Sequence, residues 1–501
     1  MEEKHENIPY NQQSTALSMV DLEAVPTTDE DMGKLHPSLT ARLYDSQYGK
    51  RSIGTIGGIC LLVNNCLGPG LVQMNTQMQL SGWLPVVIGI ALVGLAAFGC
   101  SWMLLYAQAR VRSSLDRVEF TGICEYFFER KLFLFSIIFF ILTMIVQCIS
   151  GILQTTQLFD LLIVRLFGKS CALELYPNFF STPCGVTDNG FSVFATGSGV
   201  ISIGYVISGI IAIPFGFFPL EDSIIFQIVS CAVMAICVIL LGVDLGGLGF
   251  EPSRLPAVGS SMNGLVGLLM FNFSLAFSLP SWNNERNLNV RVKRSVGASI
   301  LIGSVTMIII GVLAGLAFDP QFNTSKNLID FANESNRAIT IAAVYVFSLA
   351  NNVTTVPVFS IMIRYTLIEH KIIRKPWIAN ILAIAVPWLL VIFFSTGSGF
   401  DTVIDFGGSI FIGVTCFIAP PVLFICALRP EWIFKMQPVN PTPIASNEPR
   451  AAHELHELSD PQMPEITGKK RINILSGSSV GFLGCLIGLL CYSWYAASTP
   501  T

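Results

Sequence analysis

The chain has 501 residues, of which 52% are hydrophobic and only 12% charged, against roughly 25% charged for an ordinary soluble domain. Those figures exclude a typical water-soluble enzyme, and the net charge of −4 supplies no basic surface for a phosphate backbone, so no nucleic-acid partner is expected. The composition fits a protein whose solvent is mostly lipid.

In chain order, residues 1–52 are polar and acidic with no apolar h-region. They read as a disordered tail rather than a cleaved signal peptide, and the first span then serves as its own insertion signal. A window of about 20 apolar residues marks eleven transmembrane helices, at 53–79, 83–109, 132–166, 197–218, 223–243, 263–283, 296–318, 338–364, 377–395, 406–427 and 474–495. Residues 428–473, rich in proline and acidic groups, form a second polar segment expected to be disordered. Its His453 and His456 belong to a solvated tail rather than to a metal pair. Of the 29 lysines and arginines, 24 fall on one side of the membrane, while Lys169, Arg254, Lys326 and Arg337 fall on the other and Arg165 sits at a span end. This bias places the N-terminus inside and the C-terminus outside. The fold class expected is an all-α, polytopic membrane protein with a transporter core over 53–427 and an extra helix at 474–495.

Two features of the outer loops agree with that topology. The sequons Asn323-Thr324-Ser325 and Asn333-Glu334-Ser335 lie between spans 7 and 8, where glycosylation is possible, whereas those at Asn272 and Asn352 lie inside spans. Of the thirteen cysteines, eleven are in or beside apolar spans and read as small packing residues. Cys171 and Cys184 share the loop between spans 3 and 4, an oxidising compartment on this topology, and are expected to be disulfide-bonded, the alternative being two free thiols.

The first span is written with a break in it: Asn64-Asn65-Cys66-Leu67-Gly68-Pro69-Gly70. Gly68 and Gly70 are poor in a helix interior, and Pro69 removes a donor and clashes with the preceding turn. Inside hydrocarbon such a break is tolerated only where it is buried in protein or lines a wet cavity. Pro69 suits the first position of a restarted helix, whose free N–H groups and dipole favour a carboxylate, while carbonyls released near Asn64 can meet a cation or an ammonium. Gln73 and Gln77 share a face beyond the break and are expected to line an outward cavity. Span 6 is interrupted as well, by Asn272, Ser274 and Ser278 and by Pro280 near its inner end. If 53–243 and 263–427 are repeats of inverted topology, spans 1 and 6 are corresponding first helices, and a pair of interrupted helices so placed points to a midplane binding site. The alternative for span 6 is a proline-kinked packing helix. In span 8, Asn351, Thr354 and Thr355 offer neutral oxygens for a sodium shell or a substrate. In span 3, Gln147, Gln154 and Gln157 either line the cavity or bridge helices. Asp160, Asp401 and Asp405 lie toward the outer surface and Glu221, Asp222 and Glu285 toward the inner one. The lack of a mid-membrane carboxylate tilts the expected coupling toward sodium or uncoupled exchange rather than protons.

Leu62 to Leu71 across the break, Ser81-Gly82-Trp83, the hinge Pro214…Phe218-Pro219-Leu220-Glu221, the segment from Pro280 to Glu285, and Val356-Pro357 followed by Arg364 together resemble the amino acid/auxin permease family of the amino acid–polyamine–organocation superfamily. The resemblance covers roughly residues 50–428 and span 11. It implies eleven spans, an inward N-terminus and a LeuT-like 5+5 inverted repeat plus one helix. It also implies substrate contacts at Asn64, Asn65, Gly68, Gly70 and residues 271–276, including Phe271, Asn272 and Ser274, with a cation site at Thr354 and Thr355. The chain departs from many relatives in holding Leu275 and Ala276 where they carry a histidine, and in its long, charged connection to span 11. The function expected is secondary transport of an amino acid by alternating access, with sodium or a proton as coupling ion and no other cofactor. The alternatives are an amino-acid-sensing transceptor and a carrier of another small solute, such as a polyamine or an auxin-like acid. No HExxH, GxSxG or P-loop motif supports an enzyme. The partners expected are the substrate and membrane lipid. The location expected is the plasma membrane or a vacuolar or endolysosomal membrane.

Overall fold

The computed structural model describes residues 52–111, 118–178, 180–185, 193–194, 198–217, 220–287, 289–319, 327–335, 337–370, 372–373, 375–396, 399–429, 466 and 469–498. The predicted N-tail (apart from its last residue), most of the 428–473 segment and the sequon residue Asn323 lie outside them. Each predicted span contains helix, span 4 only in part. Span 1 is a bent pair, Thr55–Cys66 and Pro69–Ser81, turning by 49° at the break. Spans 2 and 3 are Trp83–Val111 and Arg130–Phe167, and spans 4 and 5 are Ile203–Phe215 and Leu220–Gly246. Spans 6 to 8 are Leu265–Glu285, Val292–Ala317 and Ala338–Glu369, and spans 9 to 11 are Pro376–Phe394, Gly399–Leu428 and Lys469–Ser498. Among the described residues nine helices are long and apolar enough to cross a bilayer singly, and ten if the bent pair counts as one.

The eleventh, span 4, is shorter than its apolar run suggested. Thirteen helical residues rise about 20 Å, less than the roughly 30 Å of a hydrocarbon core. The run from 197 to 218 begins instead with a strand, β3 (Gly199–Ser202), and Ser202 then caps the helix by accepting from the Tyr205 N–H. Hydropathy counts Val200 and Ile201 as membrane residues, but they are β-branched and suit a strand equally well. β3 pairs antiparallel with β1 (Ser170–Tyr176), which pairs on its other edge with β2 (Cys184–Gly185). The expected all-α architecture therefore carries one small sheet between spans 3 and 4. Its register sets Cys171 opposite Cys184, and the two are disulfide-bonded.

Burial shows which helix is central. In span 6, 94% of the most apolar stretch is buried, against 28% in span 5 and 22% in span 11. Peripheral helices put Ile225, Ile236, Ile239 and Leu301 on their outer faces, where lipid replaces protein as the apolar partner. Span 8 runs through Pro357 without ending, and span 10 winds as π-helix from Gly407 to Ile418. That stretch offers the Phe411 carbonyl to Thr143 of span 3 at 3.0 Å, as expected where a π segment frees backbone groups. On the predicted outer side a short helix, Leu328–Glu334, begins with an Asn327/Asp330 capping box. Its Asn333 is half-buried, donating to the Ile329 carbonyl at 3.0 Å and accepting from the Tyr345 hydroxyl at 3.1 Å.

The disulfide has a direct test. In denatured protein, a maleimide reagent that adds mass to each free thiol should modify two more cysteines after reduction than before. In the C171S variant reduction should expose none. Closing a loop of this size is worth about 3 kcal/mol, so C171S should also melt at a lower temperature.

Candidate functional site

The first break forms as its residues dictate. Helix Thr55–Cys66 ends at Leu67, and Pro69 opens a 3-10 turn, Pro69–Gln73, that continues as α-helix to Ser81. In an unbroken helix the Asn65 carbonyl would receive the N–H of residue 69, which proline lacks. Two opposed helix ends therefore meet at one place: carbonyls from the inner half and N–H groups from the outer half.

Span 6 breaks beside it. Helix Leu265–Asn272 stops at Phe273, a 3-10 turn covers Ser274–Ser278, and α-helix resumes over Leu279–Glu285 with Pro280 in its first turn. The two breaks face each other. A Cβ on Gly70 would lie 2.8 Å from Asn272 Oδ1 and 2.9 Å from a Leu268 methyl, and one on Gly68 would lie 3.8 Å from the Phe271 ring. Only glycine allows this approach at position 70. Both amide atoms of Asn272 are buried without a hydrogen-bond partner, as is Oδ1 of Asn64 and of Asn65. An unpartnered buried amide costs about 1–3 kcal/mol, so these groups are suited to receive something polar.

Neighbouring spans hold the pair. Asn65 Nδ2 donates to Ser278 Oγ at 2.9 Å, tying span 1 to span 6 directly. Gln147 of span 3 donates to Ser274 Oγ at 2.6 Å, and Cys416 of the π segment donates its thiol to the Ser274 carbonyl at 3.5 Å. Gln154 accepts from Asn352 Nδ2 at 2.9 Å and donates to Ser348 Oγ at 3.3 Å, so it bridges spans 3 and 8. Both amide atoms of Gln157 are buried and unpartnered. Of the sequence-predicted residues, Gly68 and Gly70 lie beside Phe271 and Asn272 across the two breaks, Asn65 is bonded to Ser278 of the span 6 break that also contains Ser274, and Asn64 turns its amide nitrogen to Gln227 of span 5. Thr354 and Thr355 are connected to the breaks less directly: their hydroxyls donate to carbonyls of their own helix, and the Thr354 carbonyl reaches Asn64 through Gln227. Sequence reasoning passed over Gln227. Its signal was there, a lone amide in a strongly apolar span.

Polar ties flank the site at both ends. On the predicted outer side, Gln73 donates to the Asp401 carboxylate, and Gln77 donates to Ser81 Oγ at 2.6 Å and to the Asn263 carbonyl at 3.0 Å. These glutamines therefore act as ties between spans. On the predicted inner side, Ile53 pairs with the end of span 6, its N–H donating to the Glu285 carbonyl at 3.2 Å and its carbonyl accepting from the Asn287 N–H at 2.9 Å. The fully buried Trp282 packs against Gly58, where a Cβ would come 2.5 Å from the indole nitrogen. Asn283 and Asn284 bond to Gln108 of span 2, and Asn284 and Ser281 bond to Glu119.

Two solved structures are similar in overall fold. MHP1, a nucleobase-cation-symport-1 family transporter in a closed conformation with bromovinylhydantoin bound, aligns with a TM-score of 0.55 at 14% identity over 89% of this chain and 94% of its own. MhsT in complex with L-phenylalanine aligns with a TM-score of 0.55 at 13% identity over 89% of this chain and 99% of its own. This is the LeuT-like fold. No family model matches the sequence, and no curated protein matches it either.

Asn272 gives the site a physical test. Asn272→Leu removes two unsatisfied polar atoms from the interior, so the ligand-free variant should melt at the same temperature as the wild type or higher. Its ligand affinity should fall by about tenfold or more. A melting temperature several degrees lower would mean that Asn272 is a structural residue.

Proposed function

We infer that this protein is a secondary carrier that moves amino acids across a membrane by alternating access. The substrate carboxylate binds the N–H groups and positive helix end at Gly68-Pro69-Gly70. The ammonium binds the carbonyl end of the outer half of span 6, with Asn64, Asn65 and Asn272 completing its polar shell and Ser274 at its edge. Phe271 and its neighbours Phe273 and Phe277 are all buried and supply apolar surface for a side chain. The observation that carries this reading is Asn272, buried and unpartnered at both amide atoms, set against the open backbone of Gly70. A site with one anionic and one cationic receptor half fits a zwitterion. The resemblance to the amino acid/auxin permease family and the L-phenylalanine held by MhsT support the same substrate class. In this reading the halves 53–243 and 263–427 are the inverted repeats, and the closures on the inner and outer sides open alternately around a fixed site.

Purified protein in liposomes, screened with an amino-acid panel under imposed sodium or pH gradients, tests substrate and driving ion together. Gly70→Val places side-chain atoms where Asn272 and Leu268 already sit. It should abolish uptake while surface expression stays normal, and normal uptake would defeat the site assignment.

The bromovinylhydantoin bound by MHP1 favours a second reading, a carrier of another small polar solute. A competition panel separates the two. Zwitterions should displace the transported solute, and displacement by heterocycles alone would select the second.

A further inference from the structure

Span 5 turns most of its surface outward: Ile225, Phe226, Ile228 and Val229 are all exposed, yet Gln227 among them is fully buried. Its side-chain oxygen accepts from Asn64 Nδ2, which also reaches the Gln227 main-chain carbonyl at 3.1 Å. Its side-chain nitrogen donates to the Thr354 carbonyl at 3.0 Å. One turn along, Ser230 Oγ donates to the Ala350 carbonyl at 2.8 Å and accepts from Thr354 Oγ1 at 3.4 Å. A cation joining spans 1 and 8 would have to gather oxygens from these same two helices, since hard cations bind through oxygen. The Thr354 carbonyl is already taken by an amide N–H, a donor of partial positive charge that brings no formal charge to be balanced in hydrocarbon.

We propose that the Gln227 side-chain amide takes the place of a sodium ion between Asn64 of the broken span 1 and Thr354 of span 8, so that the carrier needs no sodium at that position. Gln227 is a positioning residue: it fixes the inner half of span 1 against span 8 and so sets the geometry of the break at Gly68. This rests on the carrier reading given above and adds to it the absence of a sodium requirement at Thr354 and Thr355.

The experiment has one arm that needs no flux and one that does. Purified full-length protein is melted in sodium chloride and in choline chloride at equal ionic strength. The same melting temperature in both is expected, and a saturable, sodium-specific rise overturns the proposal, because a bound ion stabilises the folded state by mass action. In liposomes, Gln227→Met keeps the length of the side chain but removes both hydrogen-bonding atoms, and should lower uptake by about tenfold or more at every pH. Gln227→Glu restores the donor only while the introduced carboxyl is protonated, so its uptake should fall as pH rises while the wild type does not follow it. Wild-type-like uptake by Gln227→Met, or a pH profile for Gln227→Glu that matches the wild type, overturns the proposal. A wild-type protein that moves no solute would instead defeat the carrier reading, and the salt comparison would then decide the role of Gln227.

Discussion

In a hydrocarbon core, a backbone N–H or C=O without a partner costs several kcal/mol, and the arrangement of this protein follows from where it accepts that cost. Span 1 is broken at Pro69 and span 6 at Phe273, and each break frees polar backbone. Neither could face lipid. The chain sets them against each other and surrounds them with protein, which is why span 6 is almost wholly buried while spans 5 and 11 spend most of their surface on the bilayer. The other helices act as walls around the breaks.

The ties that hold these walls together are mostly neutral. Asn65 to Ser278, Gln147 to Ser274, Gln154 to Asn352 and Gln227 to Thr354 are amide and hydroxyl hydrogen bonds, each worth about 1 kcal/mol net. Buried ion pairs would be far costlier to separate. On the carrier reading proposed above, the ties between spans have to be exchanged as the site opens to one side and then the other, and neutral ties meet that need. The ties beyond the site add two carboxylate acceptors to these neutral groups. On the predicted outer side, the glutamines on the second half of span 1 hold it to span 6 and to Asp401 of span 10. On the predicted inner side, the segment from Ser281 to Glu285 bonds to Gln108, Ile53 and the carboxylate of Glu119. Both sets of ties pull on the two halves of the broken helices, so movement of either half would be felt at the break itself.

Of the two glycines at the centre, Gly70 is the one constrained by space. At Gly70 the amide of Asn272 and a methyl of Leu268 occupy the room that a side chain would need. Asn272 is fully buried there, with both amide atoms unpartnered. Packing and polarity are thus joined at one position, and a substitution there disturbs both.

The sequence by itself determined the membrane class, the positions of the spans and the two breaks, because hydropathy, glycine and proline act locally and each leaves its mark within a few residues. It also marked Cys171 and Cys184, through the loop they share. It misjudged the stretch from Gly199 to Ser202, where apolar β-branched residues look the same in a strand as in a span, and only pairing with Ser170–Tyr176 decides between them. The site was legible as a set of residues on two helices, Asn64 to Gly70 and Phe271 to Ser274. Their contacts were not. That Gly70 lies on Asn272, that Gln147 rather than solvent meets Ser274, and that Gln227 stands between Asn64 and Thr354 are all decided by how distant helices pack. Side-chain amides have no partner preference that can be read along the chain, and the packing of the bundle alone selects which of them meet.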